Sequence, residues 1–144
     1  MRSYIAAALL LGTPLLAGSV ALGQERTPSP AGAEVYIISP KNGASVHNPV
    51  LVQFGLKGMG VAPAGVKFDN TGHHHLLIDT DPPADPSTPL PATDKIVHFG
   101  KGQTETTLNL TPGVHTLQLV LADANHIPHS PPVISKKITI TVKP

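Results

Sequence analysis

The sequence predicts an all-β protein, a single immunoglobulin-like β-sandwich of about seven antiparallel strands. Two observations lead to this fold class. From Glu34 onward, short runs rich in Val, Ile, Leu and Thr alternate with Pro, Gly, Asn and Asp, and no helical period is sustained. The runs recur along a chain of 144 residues, a length typical of one domain. We therefore expect one domain at residues 34–144.

The predicted strands occupy about seven runs of the chain, and turn residues separate them. In chain order the runs are 34–39, 50–56, 74–79, 96–99, 104–110, 114–123 and 134–142. Pro40 and Asn42-Gly43 end the first run, a Gly-rich stretch follows the second, and Pro112-Gly113 precede the sixth. The run at 96–99 is predicted to be a short edge strand.

Alternation of apolar and polar residues predicts the core, because successive residues of a strand point to opposite faces. The inward set is Val50, Val52, Phe54, Leu56, Leu108, Leu110, Leu117, Leu119, Leu121, Ile138, Ile140 and Val142. Run 74–79 has apolar residues at both odd-numbered and even-numbered positions, as expected for a strand covered on both faces. The segment 80–93 holds five prolines and is therefore predicted to be an extended surface loop.

The first 23 residues have the layout of a secretory signal peptide. Arg2 supplies a positive end, an Ala- and Leu-rich run follows, and Ala21-Leu22-Gly23 forms a cleavage site. We expect a signal peptide at 1–23, a flexible lead-in at 24–33, and a periplasmic or secreted protein with no membrane span after cleavage. A retained N-terminal anchor is the alternative, although the apolar run is shorter than the roughly 20 residues of a spanning helix.

Composition excludes several function classes. The chain has no Cys, which excludes disulfides, thiolate catalysis, iron–sulfur clusters and thiolate-ligated zinc or copper sites. Charged residues make up 13% and the formal net charge is +1, so no basic surface for nucleic acid is expected. Aromatic residues make up 3% with no Trp, which argues against stacking platforms for bases or sugars. No catalytic triad pattern is present, and we predict that the protein is not an enzyme.

Histidine is the residue in excess, with 8 in the chain. Imidazole is a ligand that suits copper(II) and zinc. We predict one copper or zinc ion as the cofactor, held by His73, His75, His98, His126 and His129. Residues i and i+2 of a strand point to one face, so His73 and His75 would present their rings together. Pro128 stiffens the loop between His126 and His129 and lowers the entropy lost on ordering them.

Other polar residues are predicted to support the ligands or the fold. His74 would point to the opposite face of its strand, toward the core margin. His115, after the Pro112-Gly113 turn, is predicted to be a structural hydrogen-bond donor. Asp79, Glu105 and Asp123 are candidates to hold the second ring nitrogen of a ligating histidine.

Five segments of the chain resemble the pattern of a bacterial exported family, the domain of unknown function 4399. They are FGLKGMGVAPAG at 54–65, TGHHHLLID at 71–79, HFGKGQTE at 98–105, PGVHTLQLVLAD at 112–123 and HIPHSPP at 126–132. The resemblance implies a small periplasmic or secreted β-sandwich and brings no activity with it. It also implies that the histidines of these segments belong to the family pattern, whereas His47 lies outside them.

Two functions compete on these observations. The preferred one is a periplasmic protein that captures and hands over, or buffers, copper or zinc without bond chemistry. Its affinity would fall below about pH 6, because imidazole must be neutral to bind a metal. The alternative is a structural or protein-interaction module of the cell envelope, whose histidines hydrogen-bond loop backbone and whose partner is an envelope protein. A third possibility, a metalloenzyme, would need an open coordination position.

Overall fold

Residues 25–144 are described by a computed structural model, and the predicted signal peptide and its cleavage site lie outside them. The described residues are all-β, and no helix long and apolar enough to cross a membrane is found among them. Their strands are β1 (Glu34–Ser39), β2 (Ser45–Val46), β3 (Val50–Lys57), β4 (Gly60–Val61), β5 (Thr71–Ile78), β6 (Ile96–His98), β7 (Glu105–Leu108), β8 (Gly113–Ala122) and β9 (Ile138–Val142).

The strands form two sheets. The smaller sheet has the order β1-β3-β7 and is antiparallel. The larger sheet has the order β2-β9-β8-β5-β4, and β6 shares the outer edge of β5 with β4. The long pairings of β5 with β8 and of β8 with β9 are antiparallel. The two-residue strands β2 and β4 pair in parallel with β9 and β5, which the prediction of antiparallel strands alone did not include.

Most strands lie where side-chain alternation predicts them. β1 has the predicted bounds, and β3, β5, β6, β7 and β8 differ from their predicted runs by at most 3 residues at an end. The last predicted run begins at residue 134, whereas β9 begins at Ile138. Ser135 interrupts the ladder there, because its hydroxyl accepts the hydrogen bond of the Leu119 amide at 2.8 Å. β2 and β4 are too short to leave a periodic signal.

One hydrophobic core lies between the two sheets. Its buried members are Val35, Val50, Val52, Phe54, Leu76, Ile78, Phe99, Leu117, Leu119, Leu121, Val133, Ile138, Ile140 and Val142. The predicted alternation of β8 is confirmed, since Leu117, Leu119 and Leu121 are all fully buried. Burying one such leucine contributes about 2 kcal/mol to the free energy of unfolding. Leu56, Leu108 and Leu110 are partly buried at the margin of this core.

The outer face of β5 is covered as well. A smaller buried cluster lies there, made of Leu77, Leu90, Ile96, Val120 and Ala122. Leu90 comes from the Pro-rich loop, which has no strand and packs over β5 and β8. With both faces covered, β5 is buried from Gly72 to Ile78, and this confirms the prediction from its apolar residues of both parities.

The described part of the predicted lead-in lies along the loop that follows β8. The Ser29 amide donates to the carbonyl of Ser130, and the Ser130 amide donates to the carbonyl of Thr27. The guanidinium of Arg26 donates to the carbonyls of Pro128 and His129. The sequence predicts a flexible segment here, and these hydrogen bonds hold residues 26–29 against the domain.

Candidate metal centre

Three elements bring four histidines together on the outer face of the larger sheet. His73 and His75 project from β5 on the face opposite the main core. His98 lies on β6 and is the register partner of His75. His126 lies in the loop after β8, which begins beside His73 because Ala122 is the register partner of that residue. The antiparallel pairings of β5 therefore gather histidines that are far apart in sequence.

The four imidazoles, called the histidine cluster below, are mutual neighbours. The ring centroid of His73 is 4.8 Å from that of His75, 5.0 Å from that of His98 and 5.0 Å from that of His126. The rings of His98 and His126 are 4.7 Å apart, and those of His75 and His126 are 6.0 Å apart. The sequence alone predicts that His73 and His75 are neighbours, but it does not say how close His98 and His126 lie to them.

One nitrogen from each of His73, His98 and His126 lies within 4.8 Å of the other two, so these three rings can share one metal ion. A tetrahedral zinc ion with bonds of about 2.0–2.1 Å holds its ligand nitrogens about 3.3 Å apart. The three nitrogens, which lie within 4.8 Å of one another, would have to move closer together to reach that spacing. His75 lies beside them as a fourth imidazole.

Four of the eight ring nitrogens of the cluster are buried and have no hydrogen-bond partner among the described residues. Both nitrogens of His73, Nδ1 of His75 and Nε2 of His98 are buried without one. An unpaired buried polar atom costs about 1–3 kcal/mol, and native proteins satisfy most such atoms. A cation bound between the rings would pair several of these nitrogens at once.

Three rings of the cluster, those of His73, His75 and His98, have lowered pKa values that favour the neutral form, which is the form that binds metals. Burial, and then the nearby rings of His126 and His98, lower the pKa of His73 to about 4. Burial and then the other rings lower the pKa of His75 to about 3. Burial followed by the ring of His126 lowers the pKa of His98. At neutral pH, protons therefore compete weakly with a metal ion for these nitrogens.

Gly100 allows the His98 ring to take its position. A Cβ at residue 100 would lie 2.3 Å from Cε1 and 2.7 Å from Nε2 of His98, far inside van der Waals contact. Glycine is therefore required for this close approach of backbone and ring. This role cannot be seen in the sequence, because a glycine after a short strand also fits an ordinary turn.

Asp123 shapes the loop that presents His126. Its Oδ1 accepts hydrogen bonds from the amides of Asn125 and Ile127 at 2.9 and 3.0 Å. The amide of His126 donates to the Asp123 carbonyl at 2.9 Å, and His126 has a φ of 68°, in the left-handed region. The carboxylate thus acts on the backbone around His126 and does not, as the sequence had suggested, hold a ring nitrogen of a ligating histidine.

His129, predicted to be a ligand, lies outside the cluster. Its Nε2 is 3.1 Å from the carbonyl oxygen of Thr71, and its Nδ1 is 3.5 Å from that of Leu121. The reason is that Pro128 forms a bridge with Ala122, which extends the pairing along β8 and brings His129 against the start of β5. The His129 ring therefore joins the loop to the sheet.

His74 and Glu105 also lie away from the cluster. His74 points into the main core, where its ring centroid is 5.1 Å from that of Phe54. Burial lowers the pKa of His74 to about 4. Glu105, predicted to support a ligand, begins β7 in the smaller sheet and accepts a hydrogen bond from the side chain of Gln53 at 3.2 Å.

His115 and Asp79 form a pair just beyond the far end of β5. Nδ1 of His115 is 2.7 Å from Oδ2 of Asp79, and its Nε2 is 2.7 Å from the carbonyl oxygen of Thr111. These hydrogen bonds, the one with Asp79 first, raise the pKa of His115. Partial burial acts to raise the pKa of Asp79, but hydrogen bonds from His115 and the Thr116 amide hold it below its ordinary value. Asp79 is thus a partner of His115 rather than of the cluster.

Comparison with known proteins identifies the family. No curated protein and no solved structure matches the chain. The family model described as Domain of unknown function (DUF4399) matches residues 52–143, more than half of the chain. The matched range contains all four histidines of the cluster, together with Gly100 and Asp123. The chain therefore belongs to the DUF4399 family.

Proposed function

We propose that this protein is exported to the periplasm or secreted, has an immunoglobulin-like sandwich fold, and binds one copper(II) or zinc ion without catalysing a reaction. The observation that carries the proposal is the histidine cluster: four adjacent imidazoles, three of which have buried ring nitrogens without a hydrogen-bond partner within residues 25–144. A fold that needed these rings only for packing would gain stability from apolar side chains in their place.

We assign the ligands from the shared geometry. His73, His98 and His126 offer nitrogens close enough to converge on one ion, and His75 supplies the fourth ring. Imidazole nitrogens suit copper(II) and zinc, and a chain without Cys offers no thiolate to favour copper(I). Four protein ligands would fill a tetrahedral zinc ion and leave no open position for a substrate.

The cluster has a buried side and a more accessible side, which suits uptake and release. His73 and His75 are buried, whereas His98 and His126 are partly exposed. An ion would meet His98 and His126 first and then reach the buried rings. Capture and hand-over, or buffering, is therefore the role that we propose.

The test is metal binding by the chain exported with its own signal and purified without a polyhistidine tag. We expect one copper(II) or zinc ion per chain in a titration against a competing chelator. His73→Ala and His98→Ala should each weaken the affinity by about 100-fold or more, since even partners of ligands contribute about 10–100-fold. His47→Ala is the matched control, because His47 is exposed and lies outside the cluster.

The second candidate is a structural or protein-interaction module of the envelope. It is favoured by His115 and His129, whose ring nitrogens are already used in hydrogen bonds. If this candidate is right, the chain takes up neither copper nor zinc. His73→Ala and His98→Ala would then change thermal stability equally with and without added metal.

A further inference from the structure

Hydrogen bonds join the N-terminal segment to the loop that carries His126. The two segments are about 100 residues apart in the sequence. Ser29 and Thr27 exchange backbone hydrogen bonds with Ser130 at 3.1 and 2.9 Å. Nε of Arg26 donates to the Pro128 carbonyl at 3.0 Å. Residues 26–29 therefore lie as a strap along the loop, ahead of the first strand.

One contact of the strap reaches the residue that shapes the loop. The hydroxyl of Thr27 donates to Oδ2 of Asp123 at 2.6 Å, and hydrogen bonds to a carboxylate are among the stronger ones. Asp123 is only 6% exposed, and its other oxygen accepts the amides of Asn125 and Ile127. Thr27 thus completes the hydrogen bonding of a buried carboxylate from outside the loop.

The position of His126 is set by loop contacts, whereas the positions of the other three ligands are set by strand pairing. His73, His75 and His98 lie on strands whose ladders fix their direction. His126 lies in a turn and has a φ of 68°, a conformation that most residues hold only when neighbouring contacts require it. The amides that Asp123 binds belong to the residues on either side of His126.

We propose that Thr27 and Asp123 are positioning residues of the metal site, so that the strap sets the metal affinity by holding His126 in its ligating conformation. The inference rests on the proposed function. It assigns a part in metal binding to a segment that precedes the first strand and lies outside the matched family range. Neither residue contacts the ion, and both act through the backbone of the loop.

The experiment compares the copper(II) affinity of Thr27→Val, which removes the hydroxyl and keeps the shape, with that of Thr27→Ser, which keeps the hydroxyl. Thr27→Val should weaken the affinity by about tenfold or more and change the electron paramagnetic resonance spectrum of bound copper(II). Thr27→Ser should keep the copper(II) affinity and the spectrum of the wild type. Ser29→Ala is the matched control, because among residues 25–144 the Ser29 hydroxyl donates only to the Pro131 carbonyl and makes no hydrogen bond to Asp123. It should bind like the wild type.

A double-mutant cycle separates positioning from general stabilisation. In a His126→Asn background, Thr27→Val should cause no further loss of affinity, because the ligand that it positions is gone. An equal loss in both backgrounds would overturn the inference. Thr27→Ala, which also removes the hydroxyl, is the second variant if Thr27→Val unfolds, and it should show the same dependence on His126.

The two proposals fail in different ways. If the wild type binds copper(II) through His73 while Thr27→Val binds it equally well, the positioning inference is wrong and the metal site remains. If the wild type takes up no metal, both proposals are wrong.

Discussion

The two ends of β5 hold histidines in opposite ways. At its start, His73 and His75 face other imidazoles, and three of their four ring nitrogens are buried without a hydrogen-bond partner in the described part of the chain. Just beyond its end, His115 bonds a carboxylate and a carbonyl. Burial lowers the pKa of His73 and His75, whereas the hydrogen bond with Asp79 raises that of His115. The first environment leaves an imidazole available to a metal, and the second uses it to hold the fold.

The largest expected consequence is that acid destabilises the metal-free protein through the cluster. The folded pKa of His73 is about 4 against an ordinary value of 6.5, so the unfolded chain binds its proton first as the pH falls. The free energy of unfolding should therefore decrease between about pH 6.5 and pH 4, by on the order of 3 kcal/mol for this residue. His73→Gln should flatten the dependence, measured by urea unfolding in chelator.

His47→Gln is the control for the acid effect and should reproduce the wild-type curve. Saturating zinc should oppose the loss of stability in the wild type, because the ion binds the folded state. A His73→Gln protein with an unchanged slope between pH 6.5 and 4 would show that His73 does not contribute to the acid sensitivity.

A smaller effect is expected from Gly100→Ala, which tests the geometry of the cluster without removing a ligand. The added methyl group would meet the His98 ring at 2.3 Å, so the ring must move. We expect about a tenfold loss of metal affinity, which is the size of the loss when a residue that orients a metal ligand is changed. Gly60→Ala is the matched control, because its Cβ would make an ordinary 3.4 Å contact with Thr71. Equal affinities for the two variants would show that His98 can bind from another position.

The smallest effect on the free energy of unfolding is expected at the Asp79–His115 pair. The contribution of His115 is lost as the pH rises, opposite to that of His73. The raised pKa of His115 means that its contribution is complete below pH 6.5 and is lost as the pH rises through the folded value. The lowered pKa of Asp79 means that its contribution is present above about pH 3.8 and is lost as the pH falls through the folded value. Because the Asp79 side chain is 38% exposed, water screens the pair and we expect under about 1 kcal/mol.

A double-mutant cycle with Asp79→Asn and His115→Gln measures this coupling. The coupling should be larger at pH 5.5, between the two titrations, than at pH 8.5. A coupling that grows with pH would show that His115 is neutral when it bonds Asp79.

The sequence predicted the strands whose side chains alternate, and it named all four histidines of the cluster as candidate ligands, but it placed only His73 and His75 beside each other. The period of 2 in a strand was enough to place His73 and His75 on one face and His74 on the other. The pairing of His98 with His75 required the register of β6, which depends on contacts between distant segments. Alternation contains no information of that kind.

The loops show where the prediction from sequence ended. His126 and His129 flank the same proline, yet one ring joins the cluster and the other bonds the Thr71 carbonyl. The difference arises from the hydrogen bonds of Asp123 and the bridge of Pro128, and neither contact has a periodic signature. The lead-in that contains the strap is predicted to be flexible from its composition. Its hydrogen-bond partners lie about 100 residues away in the chain, so no local pattern could reveal them.

The left-handed backbone of His126 has a consequence for how related chains can diverge. A lineage that no longer needed metal would be free to lose this imidazole, but the turn would still exclude most replacements. Asn and Gly adopt a φ near 68° most readily, so they are the expected substitutions, and Val or Ile should be absent. Members of the family with Asn or Gly at this position would therefore mark branches that keep the fold after losing the metal, and their other cluster histidines should vary in step.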